Sequence, residues 1–254
     1  MILNTSSTGD GPPLILLHGL FGAAKNLGVI ARGLSPQARV ISMDMRNHGD
    51  SPHGADMDFP TMAADVAETC AALGVGRARI AGHSLGGKTA MALALTRPEL
   101  VERLAVLDIA PVSYKHGYGA IARAMQAIAL SPALTRQQAD AALAGVVSEA
   151  PMRAFLLSNL VLGETPHWRI GLDEIAAAMP DLSAWDDPPG AEPYTGPTLF
   201  LHGAESDYVQ PSADAAIKRL FPNAELQAVE GASHWLHAEK PKQVIEILQS
   251  FFFP

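Results

Sequence analysis

A serine hydroxyl is a weak nucleophile at neutral pH. It becomes reactive when a base takes its proton and a carboxylate orients that base. Gly82-His83-Ser84-Leu85-Gly86 has the G-x-S-x-G form of a nucleophile elbow, in which a sharp strand-to-helix turn lifts the serine above a sheet edge. The flanking residues fit that context. Arg79-Ile80-Ala81 reads as the end of a strand, and Leu85 to Thr96, rich in Ala, Leu and Met, reads as a helix that stops before Pro98. The glycines allow close backbone crossing, and the helix start aims free N–H groups and a positive dipole at developing negative charge. Ser84 is the candidate nucleophile.

The base must come from nine histidines. With this elbow the usual chain order is serine, acid, histidine. His234, in Glu230-Gly231-Ala232-Ser233-His234-Trp235, follows the last strand pattern and precedes the last helix, which makes it the candidate base. His237 is the rival and reads as partly exposed at a helix start. His18 and His83 are expected to pack or hydrogen-bond around the site. Two carboxylates compete to orient the imidazole. Asp207 follows an apolar strand and lies 27 residues before His234; Asp108 ends the strand pattern Val106-Leu107 and lies 24 residues after Ser84. Both would sit at the carboxyl edge of a sheet, where sites of open α/β folds gather. The local motif favours Asp207.

The transition state also needs donors for an oxyanion, each worth roughly 2.7–4 kcal/mol. The N–H of Leu85, just after the nucleophile, is one candidate. The second is Leu20, with Phe21 as the alternative, in His18-Gly19-Leu20-Phe21-Gly22. Arg46, between Asp44 and Asp50, suggests an ion-paired loop that braces the site. No H-E-x-x-H, calcium-loop, phosphate-loop or dinucleotide pattern occurs, so neither a metal nor a cofactor is expected.

The elements that would carry these residues are legible as short continuous apolar runs: Leu14–Leu17, Val40–Met43, Ala78–Gly82, Leu104–Leu107, Thr198–Leu201 and Leu226–Val229. Continuous apolarity predicts strands covered on both faces, as in a parallel sheet. Helical patterns alternate with them. Met62, Val66, Cys70 and Leu73 form a one-sided stripe behind Pro60, and Pro241–Phe251 presents Val244, Ile247, Leu248 and Phe251. The alternation predicts right-handed crossovers with helices on both faces. From Ser113 to Pro180 the rhythm breaks into four helical stretches, Gly119–Leu130, Thr135–Val147, Pro151–Leu160 and Trp168–Met179, followed by a Pro/Gly/Asp-rich linker. The expected organisation is a core of residues 1–112 and 190–254, with residues 113–189 inserted as a helical cap. Tyr114, Tyr118, Met125, Phe155, Leu156 and Trp168 are its candidate apolar wall.

Composition narrows the function classes. Of 254 residues, 48% are hydrophobic and 17% charged, enough for a sizeable core. Eighteen basic against 26 acidic residues give −8, which disfavours nucleic acid and anionic membrane as partners. One cysteine, Cys70, excludes an intrachain disulfide and reads as a buried hydrophobe. No secretory signal and no transmembrane run is visible, so a cytoplasmic protein is expected.

Taken together, His18–Gly22, Asp44-Met45-Arg46-Asn47-His48-Gly49-Asp50-Ser51-Pro52, Gly82–Lys88, Asp108-Ile109-Ala110-Pro111 and Gly231–Pro241 resemble the α/β-hydrolase superfamily over essentially the whole chain. Within it they are most similar to the YbfF-type bacterial esterases and their mitochondrial relatives. The resemblance implies a mostly parallel eight-stranded sheet with an inserted cap, hydrolysis of a small-molecule carboxylic ester or thioester, Ser84 as nucleophile and His234 as base. It points to Asp108 as the acid, where the local motif points to Asp207. The alternatives are thioesterase, lipase or other chemistry on the same scaffold, or a homologue that binds a ligand without turnover.

Overall fold

In strand β2 (Pro13–Leu17) successive side chains enter two different cores. Leu14 and Leu16 pack on one side of the sheet, Ile15 and Leu17 on the other. The same alternation holds in β3 (Arg39–Met43), β4 (Ala78–His83), β5 (Val101–Leu107) and β8 (Thr198–Gly203). This explains why the runs are apolar without a period of two: both faces are covered. With β1 (Thr5–Thr8) and β9 (Ala224–Val229) they form one sheet, ordered β1-β3-β2-β4-β5-β8-β9. Only β1 runs antiparallel, against β3. The structure is a computed structural model and describes every residue except His116.

Among the described residues the sheet has seven strands, one fewer than the resemblance implied. Ahead of β1 the chain turns to helix α2 (Phe59–Ala72) instead of pairing. The Leu3 N–H donates to Thr69 Oγ1 at 2.9 Å, and the Met1 ammonium contacts Asp65 and Glu68 at 2.6 and 2.8 Å. Strand β1 itself escaped the sequence because Thr5-Ser6-Ser7-Thr8 is a half-exposed, polar edge with no apolar run.

Helix α1 (Gly28–Leu34) and α11 (Pro241–Phe252) cover one face; α2 and α3 (Leu85–Thr96) cover the other. Asp58 caps α2 by accepting the Thr61 N–H at 2.7 Å, with Pro60 in the first turn. Its stripe of Met62, Val66 and Cys70 is buried, and burial pushes the Cys70 thiol up to about 11. On α11 the buried line is Val244, Leu248 and Phe252; Ile247 and Phe251 are only half-buried. A four-residue step, close to the helical repeat, carries the seam to Phe252. Helix α9 (Asp214–Leu220) connects β8 to β9, and the short α10 (Leu236–Glu239) precedes α11.

Between β5 and β8 lie α4 (Tyr118–Gln126), α5 (Arg136–Leu143), α6 (Ala150–Leu157), α7 (Leu172–Ala177) and α8 (Met179–Ser183). The expectation of helices alone is corrected here. Leu160–Val161 (β6) and His167–Trp168 (β7) form a short antiparallel ladder, so Trp168 lies in a strand and the helix behind it begins at Leu172. Met125, Leu156, Ile175 and Leu182 join the same core as α2 and α3. Two hydrogen bonds pin this segment to the strand-end loops: Asn159 Nδ2 donates to the Phe21 carbonyl at 2.8 Å, and the Gly171 N–H donates to the Asn47 carbonyl at 2.9 Å. Among the described residues no helix is long and apolar enough to cross a membrane.

Candidate active site

Ser84 stands between β4 and α3 with φ 52° and ψ −114°. That conformation is strained for a residue with a Cβ and turns the chain at once from strand to helix. The glycines make the turn possible by close approach. A Cβ on Gly86 would stand 2.3 Å from the Leu17 carbonyl oxygen, and one on Gly82 would stand 2.2 Å from the Gly86 oxygen. Asp108, directly after β5, also has positive φ, at 53°. The Ser84 N–H is held by the Leu107 carbonyl at 3.0 Å, which ties the elbow to the segment that delivers the carboxylate.

Asp108 is fully buried, a costly place for a charge unless several donors meet it. Three do. Oδ1 accepts the Gly203 N–H at 2.8 Å, and Oδ2 accepts both the Ser206 hydroxyl, in a short bond, and His234 Nδ1 at 2.7 Å. Of the two competing carboxylates it is Asp108 that meets His234. Asp207 is exposed. In the loop after β8, Ser206 turns inward to Asp108, so its neighbour turns outward; the local expectation for Asp207 is corrected by that alternation.

His234 keeps 11% of its side chain exposed. Tyr208 stacks on it, with centroids 4.0 Å apart and planes 21° apart. The backbone around it is anchored twice. Glu239 accepts the Ser233 N–H and hydroxyl, both at 2.7 Å, and His83 Nε2 donates to the His234 carbonyl at 2.8 Å. Because a carbonyl only accepts, His83 carries a proton on Nε2, and burial holds its pKa well below the usual imidazole range. His237 is not partly exposed as its sequence position suggested. It is buried against His83, with ring centroids 4.3 Å apart, and burial pushes it down to about 4. Among the described residues Ser84 Oγ and His234 make no hydrogen bond to each other. In unliganded sites that contact is often long and tightens on binding.

The loop after β2 faces the elbow, and Gly19 is what lets it approach: a Cβ there would stand 2.9 Å from His83 Nδ1 and 3.4 Å from Ser84 Cβ. Of the two donors expected from this loop, Phe21 is already engaged. Its N–H donates to His48 Nε2 at 3.0 Å. Among the described residues the N–H groups of Leu20 and Leu85 find no acceptor. Leu85 is the first residue of α3, where N–H groups have no intrahelical partner. His18 and His48 brace the loop. His18 Nε2 accepts the Met45 N–H at 2.9 Å, and His48 Nδ1 donates to the Arg46 carbonyl at 2.9 Å. The ion pair of this region differs from the expected one. Arg46 binds Asp65 of α2 through two bonds, of 2.6 and 2.8 Å, while Asp44 accepts the Ala24 N–H at 2.7 Å, the Asp50 N–H at 3.0 Å and the Asn4 side-chain amide at 2.8 Å.

Ser84, Leu85 and Leu20 line a cavity of about 20 Å³ together with Lys88, Tyr114, Tyr118 and Tyr208, room for about one water. Tyr118 also borders a groove of about 620 Å³ formed with Pro151, Met152, Phe155, Trp235 and Ala238. Of the expected apolar wall, Tyr114, Tyr118 and Phe155 face these spaces, while Met125 and Leu156 are core. Sequence reasoning missed Ser206, Tyr208 and Lys88. Lys88 alone left a trace, as a lysine in an otherwise apolar helix; Ser206 and Tyr208 merely flank the aspartate that drew attention.

Comparison with known proteins bears on the family and the fold. The family model for the alpha/beta hydrolase fold matches residues 12–241. The chain is 43% identical over 249 residues to an sn-1-specific diacylglycerol lipase ABHD11 of Mus musculus, covering 94% of this chain and 80% of that protein. It is 38% identical over 243 residues to the esterase YbfF of Escherichia coli K12, covering 95% and 93%. A solved structure described as a marine microorganism esterase superposes with a TM-score of 0.94 at 36% identity, over 98% of this chain and 99% of that one.

Proposed function

The chain belongs to the α/β-hydrolase fold family and is an ester hydrolase of the esterase and lipase type; from that premise we propose that it works as a serine esterase through an acyl-enzyme, with Ser84, His234 and Asp108 as its triad. The observation that carries this reading is the buried Asp108 bonded to His234 Nδ1, on the sheet edge that also holds the strained Ser84. With its proton on Nδ1, the imidazole keeps a lone pair on Nε2 for the serine proton.

In this reading Ser84 Oγ attacks the acyl carbonyl carbon as His234 takes its proton. The N–H groups of Leu85 and Leu20 hold the oxyanion. His234 then returns the proton to the departing alcohol or thiol oxygen or sulfur. Water, deprotonated by the same imidazole, attacks the acyl-enzyme and releases the acid and the free serine. Asp108 stays ionised and stabilises the imidazolium. Residues 113–189 serve as a cap. A space of about 20 Å³ beside Ser84 admits no ester, so substrate entry requires the tyrosines and Leu182 on the cap side to give way. The apolar groove behind Tyr118 suits the hydrocarbon part of the ester.

The test is labelling with a fluorophosphonate, read as intact mass and mapped by peptide. One adduct per chain on Ser84, absent in Ser84→Ala together with ester turnover, is the expected result. A label elsewhere, or turnover retained by a Ser84→Ala preparation free of wild type, would overturn the assignment.

A further inference from the structure

Lys88 lies on the first turns of α3, four residues beyond Ser84, and its N–H donates to the Ser84 carbonyl at 3.0 Å. Lys88 is 2% exposed and lines the same small cavity as the nucleophile. Its Nζ donates to the Ala184 carbonyl at 2.8 Å and sits 5.0, 5.1 and 5.9 Å from the ring centroids of Tyr114, Phe59 and Trp185.

An ammonium has three donors, and here a neutral carbonyl and three aromatic faces are its surroundings. Among the described residues no carboxylate offers it a charge, and burial alone pushes its pKa down to about 7. As a packing element this is a poor choice. A methionine would fill an aromatic cage without the cost of desolvating a charge. The uncompensated cation faces the space in which an acyl group on Ser84 would lie. What such a cavity lacks is an anion.

We propose that Lys88 is a carboxylate-binding subsite, so that the esters cleaved at Ser84 carry a second, free carboxylate on the acyl portion. The substrate class is the monoester or monothioester of a short dicarboxylic acid. This rests on Ser84 being the nucleophile. The distal carboxylate takes the two ammonium donors that Ala184 leaves unused, the aromatic rings exclude water from the pair, and the ester carbonyl is registered against Ser84. Charge-assisted bonds in so dry a site discriminate strongly, because an uncharged acyl chain leaves the cation unpaired.

The experiment compares monobutyl succinate, glutarate and adipate with butyl pentanoate, hexanoate and heptanoate, chains of matched length, by pH-stat at pH 6.5. The ratio of kcat/KM, charged over neutral, is taken within each preparation, so the folded fraction cancels. Wild type is expected to favour one monoester by about tenfold or more, and Lys88→Met and Lys88→Gln to lose that preference by about tenfold. Lys88→Gln keeps a donor for Ala184, which separates loss of charge from loss of packing. Protection of Ser84 from fluorophosphonate by glutarate against hexanoate reads the same ratio without turnover. A wild-type ratio below about three, or one that both variants preserve within about threefold, overturns the subsite. Turnover of the neutral esters with Ser84 labelled would then leave the serine-esterase reading intact, whereas an unlabelled Ser84 overturns both.

Discussion

His234 Nδ1 and Asp108 Oδ2 lie 2.7 Å apart across 126 residues of sequence, and that bond fixes which imidazole nitrogen is free to accept a proton. Asp108→Asn offers an amide that stabilises the wrong tautomer. It is expected to lower kcat by about 10⁴-fold. Asp207→Asn, on an exposed side chain, is expected to change kcat by less than about twofold. Steady-state kinetics on one ester checks both; equally mild effects would remove Asp108 from the triad.

The elbow stores strain. Ser84 at φ 52° occupies a region that costs a side-chain-bearing residue about 1–3 kcal/mol. Ser84→Gly, which frees the backbone, is expected to raise Tm by about 2–4 °C while abolishing turnover. Ser84→Ala keeps the Cβ and should leave Tm near the wild-type value. Calorimetry that finds Ser84→Gly no more stable than Ser84→Ala would contradict the strain.

The opposite holds two residues on. Gly86→Ala would drive a Cβ to 2.3 Å from the Leu17 carbonyl oxygen, backbone that cannot yield without moving β2. A loss above about 4 kcal/mol or failure to fold is expected, measured by urea unfolding. A mild effect would mean that the crossing of β2 and α3 is looser than described.

Acid sensitivity follows from buried histidines. Burial pushes His237 down to about 4 and His48 to about 3, whereas unfolded imidazoles titrate near about 6.5. Between these values the unfolded chain binds protons that the folded chain refuses, so stability falls as pH drops from 6.5 toward 4. Among the described residues His237 Nδ1 is buried without a hydrogen-bond partner, so His237→Phe leaves no orphaned group there and is expected to flatten the slope of Tm against pH in that window. An unchanged slope would count against the burial argument.

Lys88 gives a second window of the same sign at higher pH. Its ammonium is pushed down to about 7, while an unfolded lysine holds its proton to about 10.4. The unfolded state therefore carries more protons between pH 7 and 9.5, and stability attributable to this site rises with pH there. Lys88→Met should remove that rise, as seen in chemical unfolding at pH 7 and pH 9.5. Parallel changes in both proteins would argue that Lys88 is solvated.

Much of this was legible in the chain itself. The elbow announces itself because its requirements are local: a strand end, two glycines and a helix start within a few residues. Central strands are equally plain, since burial on both faces demands unbroken apolar runs. Edge strand β1 and the β6–β7 ladder were not, because an edge needs only backbone partners and leaves its side chains polar. The missing eighth strand was a matter of where Met1 to Asn4 spend their hydrogen bonds, on α2 and the loop after β3.

Sequence alone pointed to a serine, a late histidine and an acid at one edge of a parallel sheet, because each is attached to an element whose pattern is set by neighbours along the chain. Only the tertiary structure sets Asp108 against His234, engages the Phe21 N–H and encloses Lys88. Asp108 and Asp207 were both open as sequence, with the local motif favouring Asp207; the packing of β5 against β8 buries the first and leaves the second exposed. Phe21 and Leu20 offer the same N–H, and only the position of His48 occupies the first. A lone lysine in an apolar helix looks like a surface residue until three distant aromatic rings close around it. Contacts between groups far apart in sequence have no local signature, since nothing in the chain nearby is needed to make them.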